Sequence, residues 1–145
     1  MKETKYRELL NSRRVEYKGY VPTYCIAIRA YVFFNADGFN HLRFRTDGSP
    51  RKQDEQMYKL GLLPLVISVI KSATSVEKYQ RRMSPVGRKK ENGVRIMKEI
   101  EYWAIIAIVG RQNVKLKVVL RRIGTGKIHF WSVMKLGQNQ KHPLL

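Results

Sequence analysis

Three residues near the end of the chain, Glu101, Arg122 and His129, have side chains of the types that cleave RNA without a metal ion. In that reaction the 2′-OH attacks the adjacent phosphate, and the enzyme supplies a base, an acid and a cation that stabilises the phosphorane. The products are a 2′,3′-cyclic phosphate and a 5′-hydroxyl. An alternative interpretation is a surface ion pair between Glu101 and Arg122 beside an unrelated histidine.

These side chains can meet only if residues 99–135 fold in one particular register. This stretch contains three runs rich in Val, Ile, Tyr, Trp and Phe, joined by short turns with Gly and Asn, and it predicts a three-stranded antiparallel meander. If four-residue loops close both hairpins, Glu101 lies opposite Arg122, and Arg122 lies opposite His129. The next row on that face then contains Trp103, Leu120 and Trp131. A three-residue first loop would break the row, because side chains alternate between the two faces of a sheet.

A second hairpin is predicted upstream, with strands at 24–34 and 39–45 joined by an Asn-Ala-Asp-Gly turn. On its second strand His41 would share a face with Arg43 and another arginine, and so line a groove that binds anions. His41 is therefore the reserve candidate for the catalytic histidine. The alternative is that His41 is a structural or exposed residue.

The remaining segments supply helices. A basic amphipathic helix is predicted over residues 4–18, with Gly19 ending it, and a basic arm that orders only on binding is the alternative. Another helix begins at Gln53 or Asp54, and Pro64 breaks it and starts a further helical segment that crosses the core. The order of N-terminal helix, hairpin, core helices and C-terminal meander predicts an α+β fold with one mainly antiparallel sheet. Residues 1–145 are expected to form one domain, with a helical arm at 1–18 and a loose tail at 137–145.

The charge of the chain indicates a nucleic-acid partner. Lys and Arg number 29 against 11 Asp and Glu, which gives a net charge of +18, and a pI this high is typical of domains that bind nucleic acid. Cations are dense between residues 75 and 98, which predicts a basic loop or arm that contacts phosphates, or else a solvated loop. The predicted nucleic-acid-binding residues are Arg43, Arg81, Arg82, Arg88, Lys89, Lys90, Arg95, Arg121 and Lys127.

Other classes of site are disfavoured. One cysteine, Cys25, and three histidines do not have the spacing of a zinc site. The carboxylates are too scattered for a two-metal nuclease. No glycine-rich loop has the length of a Walker-type or dinucleotide-binding loop. We therefore expect neither a metal nor a cofactor. The longest apolar run, residues 60–70, is too short to span a bilayer, and the N-terminus lacks the apolar core of a signal peptide. These features predict a cytoplasmic protein that does not bind membranes.

The stretch VVLRRIGTGKIHFWSVMK, within a small and very basic α+β domain, resembles the barnase, EndoU, colicin and RelE-like ribonuclease superfamily, and in particular its phage-type nuclease domains. The resemblance covers the last third of the chain well and the rest in architecture only. It implies a metal-independent endoribonuclease in a toxin or phage-conflict setting, with Arg122 and His129 on the terminal strands. The expected partners are RNA, including ribosome-bound RNA or tRNA, and an acidic antitoxin or immunity protein. The competing hypothesis is a non-enzymatic RNA- or ribosome-binding protein, in which aromatic residues on the strands stack on bases.

Overall fold

The computed structural model of the protein describes residues 2–87, 93 and 95–137, and it has the predicted α+β fold. The helices are α1 (Lys2–Lys18), α2 (Ala36–Arg43), α3 (Gln53–Leu62) and α4 (Val66–Ser72), with a 3-10 turn at Leu63–Leu65. A small hairpin consists of β1 (Thr23–Cys25) and β2 (Ala30–Val32). A four-stranded antiparallel sheet follows in the order β3 (Val76–Val86), β4 (Ile96–Val109), β5 (Val114–Ile123) and β6 (His129–Lys135).

The predicted helices and the break between two of them are confirmed. Pro64 lies in the 3-10 turn between α3 and α4, because proline lacks the N–H that a continuous helix would need there. α4 contacts β4 and β5, and its Val66, Val69 and Ile70 are fully buried. The apolar segment therefore crosses the core as expected. Most of the predicted loose tail, residues 138–145, lies outside the described residues.

The predicted hairpin over residues 24–45 is wrong. β1 and β2 pair through Tyr24 and Tyr31, and the second predicted strand is instead helix α2. The Asn-Ala-Asp-Gly motif is an N-cap and not a turn, because the side chain of Asn35 accepts a hydrogen bond from the backbone N–H of Gly38 at 3.1 Å. His41 and Arg43 consequently lie on a helix, about 200° apart around its axis, and do not share a face.

The basic segment before the meander is also not a loop over most of its length. Residues Val76–Val86 form β3, an edge strand that pairs with the first part of β4, where Arg81 lies opposite Glu101. The large sheet therefore has one strand more than the predicted meander, and the small hairpin forms a sheet of its own instead of joining it. Three of the predicted phosphate-binding residues lie outside the described residues, namely Arg88, Lys89 and Lys90.

The predicted register is right for the first hairpin and partly wrong for the second. Glu101 lies opposite Arg122 and Trp103 opposite Leu120, as the four-residue first loop requires. In the second hairpin an irregularity between Val119 and Leu120 shifts the pairing by one residue, so Leu120 lies opposite Phe130 and not Trp131, and Arg121 lies opposite His129. Because such a shift moves side chains to the opposite face of the sheet, His129 does not share a row with Glu101 and Arg122.

Helix α2 lies directly against β6, and Gly38 permits this close approach. A Cβ at this position would lie 2.3 Å from the carbonyl oxygen of Phe130 and 2.9 Å from the hydroxyl of Tyr17. Gly38→Ala should therefore lower the free energy of unfolding by about 1–3 kcal/mol or more, the usual cost of overpacking. Urea denaturation measures the effect.

Gly61 in α3 provides the matched control, because a Cβ there meets no described atom within 4 Å. Gly61→Ala should leave stability unchanged or raise it by about 0.5–1 kcal/mol, since alanine favours a helix. Equal stabilities for the two variants would show that α2 does not need glycine to contact β6.

Candidate active site

An open cleft lies between α2 with its following turn and the sheet face that turns away from α4. We call it the His41 cleft, and its volume is about 290 Å³. Its apolar wall includes Trp131 and Ile123, and its polar lining consists of Asp37, Asn40, His41, Arg45, Thr46 and Arg121. The structure thus brings the reserve histidine to a site that β5 and β6 also build.

Trp131 forms the centre of this site and is only 6% exposed. The guanidinium carbon of Arg121 lies 3.5 Å from the centroid of its ring, and the imidazole of His41 stacks at 3.8 Å with an interplanar angle of 12°. Two groups this close to one centroid must occupy opposite faces of the indole, because they would otherwise overlap. Trp131 therefore holds α2 and β5 in a fixed relation through a cation–π contact and an aromatic stack.

Arg121 is held in place by two further contacts. Its Nε donates a hydrogen bond to Nε2 of His129 at 3.0 Å, and its Nη2 lies 3.3 Å from the carboxylate of Asp37. Burial, together with the charge of Arg121, lowers the pKa of His129 to about 4. His129 is thus a neutral acceptor that orients Arg121, and it lies outside the lining of the His41 cleft.

His41 is oriented in a similar way by Arg51. Nη2 of Arg51 lies 3.2 Å from Nε2 of His41, and Nε of Arg51 donates to the backbone carbonyl of His41 at 2.9 Å. Glu55 fixes the other side of this guanidinium at 2.7 Å. Burial lowers the pKa of His41 to about 3, and the positive charges of Arg51, Lys59 and Arg121 act in the same direction. The imidazole is therefore neutral at physiological pH, which is the form that a general base requires.

Three guanidinium groups lie near His41. Arg51 contacts the imidazole, Arg45 lines the same cleft, and Arg121 lies on the other face of the Trp131 indole. A second opening shares His41 and Arg45 with the main cleft and adds Arg51 to its lining. Guanidinium groups bind phosphate through paired hydrogen bonds. An anion bound among them would offset their charge and raise the pKa of His41 towards its ordinary value.

Glu101 and Arg122 form a separate cluster on the other face of the sheet. Nε of Arg122 donates to Glu101 at 2.8 Å, and the hydroxyl of Tyr79 donates to the same carboxylate. Burial alone would raise the pKa of Glu101, but the hydrogen bonds from Tyr79 and Arg122 outweigh it and hold the pKa below its usual value. Glu101 is buried, with 7% of the residue exposed, and the structure does not bring this ion pair to His129.

The other predicted nucleic-acid-binding cations are dispersed. Arg43 lies over the ring of Phe44, and Lys127 lies 4.3 Å from the ring centroid of Phe33. Among the predicted cations, Arg81 and Arg82 are exposed on β3, and Arg95 is exposed directly before β4. Within the described part of the chain, Arg121 is thus the predicted cation that lines the His41 cleft.

Sequence reasoning missed Arg51 and Asp37 as parts of the site. Arg51 stands four residues before Glu55, a spacing that looks like an ordinary helical ion pair, and the two residues do form one. The one feature of the sequence that could have pointed to Arg51 is its position directly after a predicted turn and just before the predicted start of α3. Nothing local marks Asp37, because its contact with Arg121 spans 84 residues.

A buried lysine lies near the same strands. Nζ of Lys59 donates to the carbonyl oxygen of Val133 at 3.1 Å and lies 3.5 Å from the hydroxyl of Ser132. Burial lowers the pKa of Lys59 to about 8. Because Ser132 is buried and neither residue lines the His41 cleft, we assign this pair to the packing of α3 against β6.

Acid should destabilise the fold between about pH 6.5 and 4.5. The folded protein keeps the pKa values of His41 and His129 at about 3 and 4, whereas histidine in an unfolded chain titrates near pH 6.5. In this window the unfolded chain binds protons that the folded chain does not bind, so the free energy of unfolding falls as the pH is lowered. For two histidines the slope approaches about 2.7 kcal/mol per pH unit. Urea denaturation at each pH measures it.

The control is a variant in which glutamine replaces both histidines. Its stability should be nearly flat over the same window, because carboxylates with lowered pKa values such as Glu101 and Glu55 act only at lower pH. Parallel curves for the parent and the variant would mean that the two imidazoles are not buried in the neutral form.

Residues 2–87, 93 and 95–137 contain no cluster of three His, Cys, Asp or Glu side chains that could hold a metal ion. Among the helices of that same part of the chain, none is long and apolar enough to cross a membrane. The chain matches no protein-family model, no curated protein and no solved structure.

Proposed function

We propose that the protein is a metal-independent endoribonuclease whose active site is the His41 cleft. One observation carries this proposal: a neutral imidazole on the wall of an open cleft contacts the guanidinium of Arg51, and the guanidinium groups of Arg45 and Arg121 line the same cleft. Attack by a 2′-OH needs this combination of a base and cations that stabilise a phosphorane.

In the proposed reaction the scissile phosphate lies among the three arginines. Arg51 turns from His41 to the phosphate and so frees Nε2 of His41. This nitrogen then takes the proton from the 2′-OH, and the bond between the 2′-oxygen and phosphorus forms. The bond between phosphorus and the 5′-oxygen breaks, and the leaving oxygen takes a proton from solvent. His129 acts as a positioning residue for Arg121, while Glu101 and Arg122 remain outside the reaction.

The second candidate is an RNA-binding protein that does not cleave. Two observations favour it. Nε2 of His41 already lies within hydrogen-bond distance of Arg51, and an exposed aromatic pair stands on the small hairpin, where Tyr24 and Tyr31 are 46% and 57% exposed with ring centroids 5.3 Å apart. Exposed rings of this kind stack on unpaired bases.

The setting proposed for either activity is the cytoplasm. Cys25 is buried and unpaired, so the described fold needs no oxidising compartment. With a net charge of +18, the protein would also attract an acidic inhibitor such as an antitoxin or immunity protein through long-range electrostatics.

The test uses purified protein, end-labelled unstructured RNA and EDTA, with and without ribosomes. We expect cleavage products that carry a 2′,3′-cyclic phosphate and a 5′-hydroxyl, together with RNA binding that weakens steeply with salt. A His41→Gln preparation purified in parallel controls for contaminating ribonuclease. Salt-dependent binding without cleavage under either condition would favour the second candidate, and an absence of both would overturn the two together.

A further inference from the structure

A second cleft lies on the other side of α2, between that helix and α1. We call it the aromatic cleft, and its volume is about 280 Å³. Three aromatic residues, Tyr17, Phe34 and Phe39, form its apolar wall, and Arg14 and Lys18 add two cations. Its lining also includes Asn35 and Asn40.

The aromatic wall is rigid. Tyr17 contacts Phe39 and Phe34 with ring centroids 5.2 and 5.9 Å apart, and its hydroxyl donates to the carbonyl of Asn35 at 2.6 Å. The guanidinium of Arg14 lies 5.7 Å from the centroid of Phe39. Tyr17 and Phe39 are only 7% and 5% exposed. A flat ligand would therefore meet chiefly the half-buried Phe34, beside the Arg14 guanidinium over Phe39.

The two clefts adjoin at one residue. Asn40 lines both the His41 cleft and the aromatic cleft, and it directly precedes His41 on α2. A strand with one phosphate among the arginines of the His41 cleft would cross α2 at Asn40 and place a neighbouring nucleoside beside the aromatic wall.

We propose that the aromatic cleft is a subsite for one nucleobase next to the scissile phosphate, an inference that rests on the proposed function. The base would stack on the aromatic wall, as bases do in single-strand binding sites. The amide of Asn40 can both donate to and accept from a base edge, and Arg14 and Lys18 can neutralise the next phosphate. A volume just below the usual range for ligand pockets, roughly 300–1,000 Å³, suits a single base.

The first experiment needs no cleavage. The four 5′-nucleoside monophosphates are titrated into isotope-labelled protein, and backbone amide resonances are followed. We expect saturable shifts at Ala36, Phe39 and Asn40, with affinity reduced about tenfold in Arg14→Gln, which loses a charge-assisted contact. Arg7→Gln is the matched control, because Arg7 lies on the same helix but pairs with Glu3 in an exposed position.

The second experiment measures base preference. The rates of cleavage at each of the four bases flanking the cut are compared for the parent, Asn40→Ala and Arg14→Gln. We expect a preference in the parent that at least one of the two variants reduces about tenfold, since loss of a hydrogen bond to a base typically costs about 1–3 kcal/mol.

The outcomes separate the two proposals. If nucleotides shift the aromatic-cleft resonances but the parent does not cleave RNA, the subsite stands and the ribonuclease proposal falls. If the parent cleaves and both variants keep its base preference and nucleotide affinity, the ribonuclease proposal stands and the subsite is overturned. Shifts confined to the His41 cleft would also overturn the subsite.

Discussion

Replacing His41 with alanine should lower kcat/KM for RNA cleavage by about 10²–10⁴-fold, the usual effect of losing a general base. The residue lines the cleft together with Arg45 and Arg121, and its imidazole is neutral and contacts Arg51. RNA affinity should change little, because the arginines and the rest of the basic surface remain. Initial rates in EDTA and binding by fluorescence anisotropy on the same preparations separate the two effects.

His129 gives the informative comparison, since its Nε2 accepts from Arg121 and the residue lies outside the cleft lining. His129→Ala should slow cleavage through a misplaced Arg121, and His129→Gln should recover part of the loss, because an amide oxygen can still accept from that guanidinium. If His41→Ala, folded as judged by circular dichroism, cleaved at the parental rate, His41 would not be the base.

Arg121→Ala should lower kcat/KM by about 10²–10³-fold, as removal of a preorganised group that stabilises developing charge does elsewhere. RNA binding should weaken as well, because the same guanidinium contacts the phosphate before the reaction. Arg121→Lys should restore little activity. An ammonium group cannot reproduce the planar contact with Trp131, nor can it contact His129 and Asp37 at the same time, as the guanidinium does.

The adjacent arginine provides the matched control for that experiment. Arg122 lies on the same strand but on the opposite face, paired with Glu101. The Glu101→Gln/Arg122→Gln double variant removes this pair without leaving one buried charge unpaired, and it should cleave at close to the parental rate. If the double variant lost activity while Arg121→Ala kept it, the active site would lie on the other face of the sheet.

Local rules predicted a large part of the fold correctly. Pro64 determined where α3 ends, because no backbone donor exists at that position. The short Gly- and Asn-containing loop before Val114 determined the register that places Glu101 opposite Arg122. Both features depend on a few consecutive residues, and their geometry is nearly independent of the rest of the molecule.

The errors come from features that several distant segments determine together. Asn35 followed by Gly38 is compatible with a hairpin turn and with a helix N-cap, and contacts of α2 with β6 favour the helix. The irregularity at Val119 and Leu120 leaves no mark in the sequence, yet it moves His129 to the face of Arg121. β3 was missed because most of its side chains are exposed, so its sequence lacks the apolar alternation of a half-buried strand.

In the candidate site, too, some features follow from local sequence and others from contacts between distant segments. Two histidines of the candidate site, His41 and His129, were both selected from the sequence. Their convergence around Trp131 depends on the approach of α2 to β6 at Gly38. A contact of that kind joins residues about 90 positions apart, which hydrophobic periodicity cannot predict.

Whether a 2′-OH attacks the phosphate held in the His41 cleft is tested most directly with two oligonucleotides that differ by one oxygen atom. The first is RNA on which the principal cleavage site has been mapped, and the second carries a 2′-deoxyribose immediately 5′ of that scissile phosphate. In EDTA, we expect the parent protein to cleave the first at the mapped bond and to leave that bond in the second intact, with equal affinity for both. Cleavage of the deoxy-substituted bond at an undiminished rate would contradict attack by the 2′-OH.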